Sequence, residues 1–140
     1  MSKLIMGALA AALVAAPVAA QDDAPEQAPV VNAKAEKKLA KRLEGHVAGE
    51  PVDCLPYTRT TRATIYDETA IVYKVGSTLY VNRPDRGARQ LDDFDVMVVT
   101  HRGSTRLCDI DTVELRDRSG FYSGTVFLGK FVPYRRVDAS

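Results

Sequence analysis

The chain predicts a mainly β fold: a small antiparallel β-barrel or sandwich preceded by a short N-terminal helix. Three observations carry that expectation. From about residue 60 onward, short runs rich in Val, Ile, Thr and Tyr alternate with turn signals, the pattern of an all-β domain. Ahead of them lies one Ala, Lys, Glu and Leu segment without Gly or Pro. The 140 residues carry a formal net charge of +1, a composition suited to one small domain with polar flanks. It excludes a multidomain enzyme, a multi-span membrane protein and a strongly basic nucleic-acid binder.

Residues 1–20 read as a secretory signal peptide. Lys3 is the positive start, an apolar run follows, and Pro17 breaks it. Val18 and Ala20 place small residues ahead of a cleavage point between Ala20 and Gln21. The alternative is a membrane anchor, but a spanning helix needs roughly 20 apolar residues and this run stops at Pro17. No cysteine follows the run, which speaks against a lipid anchor. The expected location is the periplasm, with no stable membrane span.

Residues 21–32 hold Asp22, Asp23, Glu26, Pro25 and Pro29 and read as a disordered linker. Residues 33–45 are the expected helix and its stop, with Gly45 ending it. Ala35, Leu39, Ala40, Leu43 and Val47 fall on one stripe at helical spacing. The other faces are crowded with Lys34, Lys37, Lys38, Lys41 and Arg42. Lys34/Lys38, Lys37/Lys41 and Lys38/Arg42 are like-charged i,i+4 pairs, each mildly destabilising. A solvated helix docked by Leu39 and Leu43 is the plainer expectation. A basic arm that touches anionic envelope material is the sharper one.

Residues 46–140 are expected to form the small β domain. Residues 60–66 begin it, with a turn at Asp67 and Glu68. Residues 70–75 put Ile71, Tyr73 and Val75 on one side and Val72 and Lys74 on the other. Gly76-Ser77 is a two-residue hairpin connection to a strand at 78–82. Residues 83–93 hold Pro84 and Gly87 and read as a loop. Residues 96–100 read as a short, buried-looking strand. Over residues 112–118, Val113 and Leu115 point inward. Ser119 and Gly120 turn the chain, and residues 124–132 are expected to form one last strand.

Cys54 and Cys108 are the only cysteines, and an oxidising compartment lets such a pair persist as a disulfide. Closing a loop of 54 positions is worth roughly 4 kcal/mol by chain entropy. A redox pair or metal ligation is the rival, but neither cysteine lies in a C-x-x-C motif.

Chemistry-bearing residues are sparse. His101-Arg102-Gly103-Ser104 sets a hydroxyl near an imidazole, without the Gly-x-Ser-x-Gly elbow of a nucleophilic serine. Asp92, Asp93 and Asp95, like Asp109 and Asp111, sit at spacings that suit a hard cation, and equally suit turns. Neither a phosphate-cradling Gly-rich motif nor H-E-x-x-H is present, and no cofactor is expected. The tyrosines offer ligand contact or cover a core. Tyr73, Tyr80 and His101 are the candidate ligand contacts.

Gly49-Glu50-Pro51-Val52-Asp53-Cys54-Leu55, Thr64-Ile65-Tyr66-Asp67-Glu68-Thr69-Ala70-Ile71, Tyr80-Val81-Asn82-Arg83, Arg106-Leu107-Cys108 and Leu128-Gly129-Lys130-Phe131-Val132-Pro133-Tyr134 form an ordered set of motifs. In them the chain resembles a family of small exported proteins of Gram-negative bacteria that carries only a domain-of-unknown-function label. Members of that family have two further cysteines, where Ala88 and Val126 stand here. Their joint absence is what a second disulfide in the family implies. The resemblance implies an exported, disulfide-bonded β domain and brings no catalytic residues. The expected function is therefore a non-catalytic binding or envelope-associated module, partnered by an envelope component or another periplasmic protein. The alternative is a small hydrolase or metal-dependent enzyme using His101 with Ser104 or the Asp92, Asp93, Asp95 group.

Overall fold

The computed structural model describes residues 32–56, 62–102 and 105–137. The expected signal peptide with its Ala20/Gln21 cleavage point, nearly all of the expected linker, Tyr57 and Ser104 lie outside them. Among the described residues no helix is long and apolar enough to cross a membrane.

Helix α1, Ala33–Leu43, starts where the Asn32 side chain accepts a hydrogen bond from the Ala35 amide at 3.2 Å. It stops at Gly45, whose φ of +72° an L side chain would resist. Ala35 and Leu39 are buried, and Leu43 is half-buried. Ala40 and Val47 are exposed, so the docking stripe is narrower than the sequence pattern. Val47 leaves it because the chain beyond Gly45 is a strand, not a further helical turn.

Eight strands follow: β1 His46–Ala48, β2 Arg62–Tyr66, β3 Ala70–Val75, β4 Thr78–Asn82, β5 Val96–Thr100, β6 Thr112–Arg116, β7 Tyr122–Phe127 and β8 Phe131–Arg136. They form one sheet in the order β1-β8-β4-β3-β2 and a second in the order β5-β6-β7, all pairs antiparallel. The end strands β2 and β5 are not paired with each other, so the arrangement is sandwich-like and not a closed barrel.

The five-stranded sheet is covered on both faces. Ile71, Tyr73, Val75, Tyr80 and Phe131 meet Val113, Leu115 and Val126 of the second sheet, with Leu55, Leu91 and Leu128 closing that core. On the other face Ala70, Val72, Leu79 and Val81 receive Leu39. The alternation expected in β3 is therefore real, with both of its sides used for packing. Val75 pairs with Thr78 across Gly76 and Ser77, the expected hairpin, and Gly76 takes a φ of +59°.

Two corrections concern the strands. β1 was not expected; it pairs His46 with Arg136 and so extends the sheet beyond β8. The single last strand expected over 124–132 is two strands, β7 and β8, in different sheets. Asn82 is the physical reason. Fully buried, it accepts a hydrogen bond from the Gly129 amide at 3.2 Å and donates one to the Gly129 carbonyl at 2.5 Å. Gly129 sits so close to the chain after β4 that a Cβ there would lie 2.5 Å from the Arg83 carbonyl oxygen. The ladder is broken at that point, and the chain crosses from one sheet to the other.

Candidate functional site

Cys54 and Cys108 are joined in a disulfide. The bond ties the segment before β2 to the segment before β6. Leu55 donates its amide to the Leu107 carbonyl and Asp109 to that of Asp53, both at 2.8 Å. This short antiparallel clasp holds Leu55, Pro56 and Leu107 at one end of the gap between β2 and β5.

That end is a cavity of about 330 Å³. Leu55, Leu107, Met97 and Val99 give it apolar walls, and Tyr73, His101 and Arg106 supply polar groups. Tyr73 reaches it from β3, where Tyr73 is an inward position and its ring packs edge-on against Phe131 at 5.7 Å. The Tyr73 hydroxyl is enclosed and has no hydrogen-bond partner among the described residues. A buried hydroxyl without a partner costs roughly 1–3 kcal/mol, so it is a group for which a ligand acceptor would be a gain. Burial pushes the Tyr73 phenol well above the usual tyrosine range, so it remains a donor at every physiological pH.

His101 follows β5 and its side chain is 44% exposed. Its Nδ1 lies 3.5 Å from Oδ2 of Asp111, a residue 1% exposed. Asp111 has structural duties as well: it accepts from the Arg102 amide at 2.6 Å and the Cys108 amide at 2.8 Å. It thus pins the Arg102 backbone, next to His101, on one side and the disulfide on the other, and its carboxylate faces one His101 ring nitrogen. A histidine placed this way presents its other nitrogen outward.

The structure brings two of the three candidate ligand contacts, Tyr73 and His101, to one cavity. Tyr80 stays apart: it is paired with Tyr73 across β3 and β4 and buried in the core, without lining the cavity. No spacing rule links residues 73 and 101; the packing of one sheet against the other does.

The acidic group is also rearranged. Asp67 joins Asp92 and Asp93, with oxygens within 4.8 Å of one another, whereas Asp95 accepts from the Ser123 hydroxyl. Asp67 accepts from the Asp93 amide and Asp92 from the Phe94 amide, each at 2.8 Å, and Lys38 stands 4.0 Å from Asp93. Three carboxylates suit a hard cation. Here two of them are spoken for as turn caps, and a lysine offsets the charge. Asp109 stands 3.5 Å from Lys130.

No family model matches the chain, and neither a curated protein nor a solved structure does.

Proposed function

We propose that this chain is an exported, periplasmic, non-catalytic binding module whose cavity between β2 and β5 takes a small ligand. The ligand has an apolar body and one hydrogen-bond acceptor. The observation that carries this is the enclosed Tyr73 hydroxyl, without a hydrogen-bond partner among the described residues, in a cavity whose walls are mainly apolar. The disulfide supports an oxidising location. The resemblance to a family of small exported Gram-negative proteins supports the same setting.

Ligand-observed NMR with small aromatic ketones and amides tests the proposal. Fragments should bind the purified protein, and Tyr73→Phe should weaken them while leaving the melting temperature equal or higher. Fragments that bind Tyr73→Phe as well as the parent would remove the reason for the proposal.

A second reading is favoured by one observation, the 3.5 Å approach of His101 to buried Asp111. Such a pair suits a general base, with Ser104 or a water as nucleophile. Turnover of an activated ester that His101→Ala abolishes, with folding and fragment binding intact, would establish the hydrolase instead.

A further inference from the structure

The face of the five-stranded sheet that carries α1 also carries charge. Past the end of the helix, Arg42, His46, Lys74 and Arg136 surround a cavity of about 440 Å³, with Ser77 of the β3–β4 hairpin at its edge. The sheet register brings them together: His46 pairs with Arg136 across β1 and β8, and Lys74 pairs with Leu79 across β3 and β4. Among the described residues no carboxylate lines this cavity, and Arg42, Lys74 and Arg136 form no ion pair. Glu44 lines only the neighbouring cleft. His46 donates from Nδ1 to the Glu44 carbonyl at 3.0 Å.

The cluster works against folding. Arg62 stands directly opposite Lys74 across β2 and β3, and like charges so placed are destabilising. Lys38 and Arg42 repel on the helix in the same sense. The helix dipole accounts for a cation at Arg42, in the last turn. It does not account for Lys74 or Arg136, which are on strands. The 18 acidic residues of the chain nearly balance its 19 basic ones, so the patch is a matter of placement, not of a basic composition.

We infer that this basin is an anion-binding site for a phosphorylated ligand. The Arg42 and Arg136 guanidinium groups present forked donors that match phosphate oxygens, and Lys74 adds a point charge. The same chemistry comes from a free phosphorylated solute or from a phospholipid headgroup. The basin shares no lining residue with the cavity of Tyr73 and His101, so the two proposals fail independently.

The experiment uses the purified chain at low ionic strength, with inorganic pyrophosphate in calorimetric titration and phosphatidylglycerol vesicles in co-sedimentation. Sodium chloride of equal ionic strength is the blank. Lys74→Gln and Arg136→Gln should each weaken binding by about tenfold, as expected for loss of one charge-assisted contact. Lys37→Gln, on the exposed side of α1, should bind like the parent. Lys74→Gln should melt at the same temperature or higher, because it relieves the pairing with Arg62, so lost binding will not reflect lost folding. Pyrophosphate binding that the two substitutions abolish identifies a free phosphorylated ligand. Binding confined to vesicles and abolished by the same substitutions identifies a headgroup. The proposal is overturned if neither probe binds above the salt blank, or if neither substitution weakens binding.

Discussion

Asn82→Ala is the sharpest test of why the chain changes sheets at Gly129. The Asn82 side chain satisfies both backbone groups of a buried glycine, its amide at 3.2 Å and its carbonyl at 2.5 Å. Truncation leaves both without partners. Each orphaned group costs about 1–3 kcal/mol, so the pair costs about 2–6 kcal/mol. A central loss of about 4 kcal/mol is a large fraction of the roughly 5–15 kcal/mol of a typical domain. With a urea slope of about 1.5 kcal/mol per molar, the midpoint should fall by roughly 2–3 M. Equilibrium urea unfolding of the oxidised protein, followed by far-ultraviolet circular dichroism, measures it. Asn82→Asp should be damaging for a related reason. It keeps an acceptor for the Gly129 amide but sets a carboxylate oxygen against the Gly129 carbonyl. A loss below about 1 kcal/mol for Asn82→Ala would refute the reasoning, because the break between β7 and β8 would then stand without Asn82.

Three further outcomes are expected. Cys54→Ser with Cys108→Ser should lower stability by about 2–5 kcal/mol, and non-reducing mass spectrometry of the parent should find no free thiol. Leu39→Ala should cost about 2–4 kcal/mol in a denaturant melt, since Leu39 is fully buried against Val72, Leu79 and Val81. Glu36→Gln should cost less than about 1 kcal/mol at neutral pH, because the Arg83–Glu36 pair is largely exposed. The hydrogen bond from Arg83 holds the Glu36 carboxyl below its usual range. Its contribution is therefore complete above the unfolded value and lost as pH falls through the lowered one. Thermal melts of parent and variant should converge in acid, and a gap that widens there would contradict the pairing.

Local pattern determined a good deal of this molecule. The bounds of β3 and β4 follow from alternation and from the Gly76-Ser77 connection, because side-chain direction in a strand repeats every two residues whatever the strand is packed against, whereas β5, read as a buried run, leaves Val96 and Val98 exposed. The helix, too, is legible from composition and its stop at Gly45. The disulfide needed only a count of two cysteines and an expected compartment. Tertiary structure decided the rest. Residues 124–132 read as one last strand, and nothing local announces that Asn82, 47 positions away, holds Gly129 and divides it. The three-residue β1 is too short to show a period; it exists because β8 offers it an edge. Asp67 joins Asp92 and Asp93 and Tyr73 shares a cavity with His101 through contacts between segments that no ladder joins, and Lys74 faces the same basin as Arg136 through the β3-β4-β8 order. Periodicity reports which way a side chain points from its own strand. Which side chains meet depends on how strands are ordered and paired, and that is a property of contacts between distant segments.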